Sequence, residues 1–250
     1  MTNFFSRIYS IYAGMLFVLS FILIFPFILI CIWVPGWQKL GRKVNQYWAK
    51  VYFSLIFLPI EIENHANLKK NQSYIFLANH FSYLDIPIMG FIPGDTMFVG
   101  KASISKAPLF GYYFRKLHIA VDRSNLKSRA ETIKRSGSAL TNGTSIIIFP
   151  EGGIYTKNPP HMIPFKNGAF RLAIEKQIPI IPVTLSYNHL ILPEDGKFLL
   201  HRRKAKIVLH SEIYPSADET EKGLKERCFE LIQNQLLKDN KEDENRKKHH

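Results

Sequence analysis

The sequence predicts an α/β domain, a sheet covered by helices, carried behind an N-terminal hydrophobic membrane segment. Three observations predict it. Residues 8–38 contain no charged side chain, short β-rich runs recur between residues 57 and 210, and helical stretches separate several of those runs. The chain has 250 residues, room for one domain with an appendage, and its 46% hydrophobic and 21% charged content excludes a mainly disordered protein.

The first element is the run IYAGMLFVLSFILIFPFILICIWV. At about 1.5 Å per residue, a helix of roughly 20 residues crosses the hydrocarbon layer of a bilayer. A secretory signal peptide fits poorly, because the run is too long, only Arg7 precedes it and no small-residue cleavage site follows. Pro26 in its middle leaves open a spanning helix or a hairpin that dips into one leaflet. Trp33, Trp37, Tyr47 and Trp48 crowd the far end as an interfacial aromatic belt does, and Lys39, Arg42, Lys43 and Lys50 follow without an acid. The positive-inside rule then puts the rest of the chain on the cytoplasmic side. Residues 1–50 are expected to be a membrane anchor with a basic interfacial linker.

Residues 51–237 are expected to form the folded domain. Strands are predicted at 57–62, 74–78, 96–99, 118–121, 145–149, 178–185 and 205–210, with helices at 125–140 and 167–176. Ser216 and Glu219 make a capping-box pattern ahead of the stripe Leu224, Cys228, Leu231 and Ile232, which reads as a closing helix. Residues 238–250 carry five basic and four acidic side chains and read as a disordered tail.

The net charge is +13, and because the tail is nearly balanced the excess belongs to the folded part. A charge of that size calls for an anionic partner: nucleic acid, a membrane surface or a phosphorylated substrate. No DNA- or RNA-binding motif appears, so a nucleic-acid partner is set aside in favour of the other two. Residues 97–137 hold nine basic and two acidic residues, of which Lys127, Arg129, Lys134 and Arg135 read as a solvated helix face. Cys31 and Cys228 lie far apart and form no metal or redox motif.

The chemistry points to Asn79-His80-Phe81-Ser82-Tyr83-Leu84-Asp85. Five residues advance about 500° around a helix, so His80 and Asp85 do not share a helical face. Across a strand-to-helix turn, however, the carboxylate folds back onto one ring nitrogen and leaves the other as a general base. The bare spacing is weak. With nine histidines and aspartate at about one position in twenty, chance gives about half a match, and His189 with Glu194 is a nearby imitation.

The surrounding text is far more specific. NHFSYLD resembles the first block of the glycerolipid acyltransferases, the lysophosphatidate acyltransferase family. Val121-Asp122-Arg123 resembles the second block, Phe149-Pro150-Glu151-Gly152 the third and Ile180-Ile181-Pro182-Val183 the fourth, and Pro164-Phe165-Lys166-Asn167-Gly168-Ala169-Phe170 is similar to a stretch members carry between the last two. The blocks come in the family's order and span residues 79–183. The resemblance implies a mixed sheet flanked by helices, and transfer of a fatty acyl group from a thioester to the free hydroxyl of 1-acylglycerol-3-phosphate, giving phosphatidic acid. It implies that His80 is the base and Asp85 its orienting partner, with no acyl-enzyme on Ser82, which reads as a turn residue. Arg123 would grip the acceptor phosphate, Glu151 its glycerol end, and Gly152 would allow close backbone approach. Lys101 is expected to help bind phosphate, while Ile181 and Pro182 are expected along the acyl groove or in the core. No cofactor or metal is implied; acyl-CoA or acyl carrier protein enters as co-substrate, and the partners are a lysolipid and an anionic membrane surface.

One departure bears on the acceptor. Many relatives continue the third block as EGTR, whereas this chain reads Glu151-Gly152-Gly153-Ile154, without the threonine and second arginine. Lys157, His161 and Lys166 are nearby cations able to substitute; otherwise the acceptor is a different lysolipid. A serine hydrolase is disfavoured because no G-x-S-x-G elbow is present, and a non-catalytic lipid-binding module is the remaining alternative.

Overall fold

The computed structural model describes residues 2–103 and 109–248. Seven strands, β1 (Ile60–Asn64), β2 (Ile75–Ala78), β3 (Thr96–Lys101), β4 (Ile119–Val121), β5 (Ser145–Ile148), β6 (Ile180–Ser186) and β7 (Ala205–Leu209), form one sheet. Their order is β1-β7-β6-β2-β5-β3-β4, with every pair parallel except β6 and β7. This is the mixed α/β sheet expected, and each predicted run supplies one strand. The largest boundary shift is at β1, where Phe57 adopts a left-handed conformation and delays the strand to Ile60.

The central strands read as continuous apolar runs because both faces are covered. Phe76, Ile147 and Ile181 enter one core, and Ile75, Leu77, Ile146 and Ile180 enter the other. The second core is closed by α5 (Leu126–Thr141), α6 (Gly168–Lys176) and α8 (Glu221–Lys248). The first lies under α1 (Thr2–Trp33), α2 (Gln38–Leu55) and the short α3 (Asp85–Ile88). Two further α-helices, α4 (Phe110–Leu117) and α7 (Asn188–Ile191), and a 3-10 turn at Met89–Phe91 complete the described residues.

The helix α1 is long and apolar enough to cross a membrane, and it continues through Pro26. The chain reverses at residues 34–37, with Gly36 at φ +84°, and α2 returns antiparallel to α1. Tyr52 donates to the Ala13 carbonyl, Trp48 to Ser20 and Tyr12 to the Leu55 carbonyl. Residues 38–50 are therefore not a linker. In α2, Ala49, Tyr52 and Phe53 are buried while Lys39, Lys43, Tyr47 and Lys50 face outward, so a polar average conceals an amphipathic helix. Both ends of α1 are tied to the domain: Leu200 N donates to Ser10 Oγ at 2.7 Å and Trp33 Nε1 to Tyr112 Oη at 2.9 Å.

The expected disordered tail is also corrected over residues 238–248; residues 249–250 lie outside those described. Ser216 and Glu219 close a turn, and Thr220 caps α8 instead, its Oγ1 accepting from Gly223 N at 3.1 Å. Leu224, Cys228 and Ile232 are buried as predicted, Leu231 is not, and the buried stripe continues to Leu236 and Asp239. Asp239 holds the helix down: its carboxylate accepts from Lys206 Nζ at 2.8 Å and Ser186 Oγ at 2.6 Å. Lys206 also pairs with Glu63 at 2.9 Å. Replacing Asp239 with Ala strips a buried cation of its inner partner and is expected to cost on the order of 3 kcal/mol. A denaturant titration with an unmoved midpoint would contradict that docking.

Candidate active site

The site begins where β2 ends. Asn79 extends the β2–β6 ladder with its side chain, donating to the Leu185 carbonyl at 3.1 Å and accepting from Leu185 N at 2.8 Å. The next six residues turn sharply into α3, and Asp85, wholly buried, folds back over the turn. Its Oδ2 accepts from His80 Nδ1 at 2.9 Å, Phe81 N at 2.7 Å and Ser82 N at 2.8 Å. Its Oδ1 accepts from Asn188 Nδ2 at 2.8 Å.

An ionised carboxylate only accepts, so the His80 proton sits on Nδ1 and Nε2 remains the basic nitrogen. The ring stacks on Phe149 with centroids 4.1 Å apart, which fixes its plane. Ser82 is the turn residue expected. Its hydroxyl donates to the Leu192 carbonyl at 2.7 Å and accepts from Leu84 N at 3.1 Å, away from any reacting position.

His80 lines a polar pocket of about 300 Å³ together with Lys101, Arg123, Phe149, Gly152 and Tyr155. Arg123 donates to the Gly152 carbonyl, and burial lowers its pKa from the ordinary value. Gly152 has φ +90°, and a Cβ there would stand 2.7 Å from Arg123 Nη1 and 3.1 Å from Lys166 Nζ. Glycine thus lets two cations approach the same backbone position. Lys166 is the nearby cation that comes up against Gly152, its backbone N–H donating to the Pro150 carbonyl at 2.9 Å; like Lys157 and His161 it is not part of the pocket lining.

Glu151 is placed otherwise than expected. Its buried carboxylate accepts from His80 N at 2.7 Å and Ile163 N at 3.3 Å, so it ties the turn after β2 to the segment that follows β5 instead of facing the pocket. Burial pushes its pKa up to about 7. Ile181 and Pro182 are buried within β6 and line neither cavity, which leaves their structural role. The imitation pair separates: His189 stacks edge-on against Phe81 at 5.8 Å, and burial lowers its pKa to about 4.

Beside the polar pocket lies an apolar cavity of about 570 Å³ between α1, α2, α4 and the domain. The two share Tyr83, Ile86, Phe98 and Phe114 as a common wall. Sequence reasoning missed Asn188, which no motif contains, and the contribution of α4, whose eight residues carry no strong signal.

A family model described as Acyltransferase matches residues 59–186, more than half of the chain. The chain belongs to the acyltransferase family. Among its relatives, a chloroplastic 1-acyl-sn-glycerol-3-phosphate acyltransferase of Brassica napus is 26% identical over 197 residues, covering 76% of this chain and 55% of that protein. The 1-acyl-sn-glycerol-3-phosphate acyltransferase of Saccharomyces cerevisiae is 34% identical over 149 residues, covering 58% and 48%. This acyltransferase thus spans little more than half the length of the curated relatives it matches. The fold is that of the crystal structure of the 1-acyl-sn-glycerophosphate acyltransferase of Thermotoga maritima, with a TM-score of 0.79, 22% identity, and coverage of 95% of this chain and 97% of that one.

The placement of Glu151 has a thermodynamic consequence. Its ordinary pKa of 4.5 applies unfolded and about 7 applies folded, so the folded state holds the proton more tightly. That contribution is complete below about 4.5 and is lost as pH rises through 7. Glu151→Gln removes the titration and is expected to flatten the fall in melting temperature between pH 5 and pH 7.5, while a slope equal to that of the unaltered protein would refute it.

Proposed function

We propose that this acyltransferase moves a fatty acyl group from acyl-CoA or acyl carrier protein to the free hydroxyl of 1-acylglycerol-3-phosphate, yielding phosphatidic acid. One observation carries the reading: His80, held through Nδ1 by Asp85, lines a pocket that also holds Lys101 and Arg123 and that shares a wall with an apolar cavity. The acceptor phosphate is held by Arg123, Lys166 and Lys101, and its hydroxyl faces His80. Nε2 takes the hydroxyl proton as the oxygen attacks the thioester carbonyl, and Asp85 stabilises the imidazolium that forms. The tetrahedral intermediate collapses by breaking the carbon–sulfur bond, and the imidazolium returns its proton to the departing thiolate. The apolar cavity receives an acyl chain.

The packing of α1 supports a membrane disposition. Because α2, α4 and the domain line its length, α1 lies along the protein, with the outward face of Ile8, Leu19, Leu23 and Phe27 immersed in one leaflet. The exposed Lys39, Lys43 and Lys50 of α2 are in position to meet anionic headgroups. The same basic excess after the apolar run supports a domain on the cytoplasmic face.

Purified protein in mixed micelles, given lysophosphatidate and each thioester in turn, is expected to form phosphatidic acid identified by mass. His80→Ala is expected to reduce turnover by on the order of 10²–10⁴-fold while the protein stays folded. Turnover close to that of the unaltered protein would remove His80 as the base, and binding without transfer would favour a lipid-binding module.

Arg123→Ala and Lys166→Ala are each expected to raise KM for lysophosphatidate at least tenfold and leave the thioester KM unchanged. Arg123→Lys recovers part of the loss, because a point charge does not reproduce a two-pronged contact. A preference for a lysophospholipid diester over lysophosphatidate would overturn the monoester assignment. In a separate measurement, paired Leu19→Glu and Leu23→Glu substitutions are expected to weaken binding to anionic vesicles at least tenfold; unchanged co-sedimentation would exclude that lipid-facing side.

A further inference from the structure

Asn188 opens α7, 103 residues beyond Asp85, and is wholly buried. We propose that Asn188 is a positioning residue for the acyl-transfer dyad, its amide fixing the second oxygen of Asp85 so that the first holds the His80 ring. The proposal rests on the acyl-transfer reading above.

The division of donors makes the case. Oδ2 of Asp85 gathers the His80 ring and two backbone N–H groups, whereas Oδ1 accepts from Asn188. A buried carboxylate needs donors on both oxygens, and an oxygen left without one bears its full desolvation penalty. Without the amide, the carboxylate is drawn to rotate in search of a donor, and rotation carries Oδ2 away from His80 Nδ1. The amide has one useful orientation, since turning its oxygen to Asp85 would oppose two acceptors.

That orientation has a local penalty. Asn188 Oδ1 is buried with no hydrogen-bond partner among the described residues, so the side chain is committed to Asp85 at the expense of its own satisfaction. The backbone is similarly committed. Tyr187 sits in the left-handed region at φ +73°, a conformation that costs a non-glycine residue on the order of 1 kcal/mol. The turn is clamped from two sides. Ser186 Oγ donates to Asp239 Oδ2 at 2.6 Å and Tyr187 Oη to the Asp239 carbonyl at 2.8 Å, while Ser82 Oγ holds the Leu192 carbonyl at 2.7 Å. The C-terminal helix thereby supports the turn that presents Asn188 to the dyad. Asn188 lines neither cavity, so its loss acts on the chemical step and not on substrate binding.

The test uses the full chain in mixed micelles with lysophosphatidate and an acyl thioester, comparing Asn188→Ala and Asn188→Asp with the unaltered protein. Asn188→Ala is expected to lower kcat 10- to 100-fold, the usual range for a partner that orients a reacting group, with both KM values within twofold. Asn188→Asp sets two carboxylates about 2.8 Å apart, which cannot both ionise. Other titratable or charged groups around them are His80, Glu151, His189 and Arg203. A shared proton restores the donor at acid pH, so this variant is expected to retain activity there and to lose it on a new descending limb as pH rises. The downfield imidazole Nδ1–H resonance of His80 is read in parallel by NMR and is expected to shift or vanish in Asn188→Ala.

An Asn188→Ala kcat within twofold of the unaltered value, a rise in KM alone, or an Asn188→Asp pH profile parallel to the unaltered one would overturn the proposal. If Asn188→Ala does not fold, the pH profile of Asn188→Asp decides. If the unaltered protein transfers no acyl group, the acyl-transfer reading fails by itself. The imidazole resonance then still decides whether Asn188 positions the pair, and an unshifted signal overturns it.

Discussion

A single buried carboxylate organises this molecule. Asp85 is withdrawn from water, and an ionised group in that position is tolerable only when donors surround it. The donors come from distant places: the ring of His80, the N–H groups of Phe81 and Ser82, and the amide of Asn188. Satisfying them dictates the tight turn after β2, and the turn dictates where the imidazole points. Glu151 fastens the same turn from the other side through His80 N. The dyad is thus a consequence of how one charge is kept inside the fold.

The sheet makes that gathering possible. Strands β2, β3, β4, β5 and β6 run parallel to one another, so their carboxyl ends open on one edge. His80 follows β2, Lys101 ends β3, Arg123 follows β4, Gly152 follows β5 and Asn188 follows β6. Five positions separated by as many as 108 residues meet because parallel strands deliver their ends to the same place, where open α/β sheets bind ligands.

What the sequence makes legible follows from the same physics. The central strands, covered on both faces, read as apolar runs and the outer ones as short β-rich runs, so all seven were visible, and the dyad was visible because its two members lie within one turn. Elements whose logic is tertiary were hidden. The amphipathic α2 reads as a basic linker until α1 covers its apolar side, and the charged end of α8 reads as a tail until Asp239 meets Lys206 and Ser186. Glu151 was legible as a motif residue but not in its role, because nothing local distinguishes a carboxylate facing a pocket from one accepting two backbone N–H groups. Asn188 has no sequence signal: its partner lies across the sheet, and only the β6 register brings them together.

The cations around Gly152 set what the pocket can recognise. This chain has no arginine directly after Gly152; Lys166, from a segment anchored on Pro150, comes up against Gly152 beside Arg123, and Lys101 lines the same pocket as Arg123. Arg123 and Lys101 line the pocket with Glu194, and Lys166 stands beside Gly152, so the positive excess carries only one planar fork. A guanidinium specifies both charge and direction, whereas an ammonium at the end of a flexible stem specifies charge and accepts many approaches. Discrimination in such a pocket falls on the charge of the headgroup more than on its orientation. A phosphate monoester, with close to two negative charges, gains most from that arrangement, and a diester with one charge gains less. On the proposed acyl-transfer reading, such a pocket relaxes geometry while favouring the headgroup with the greater charge.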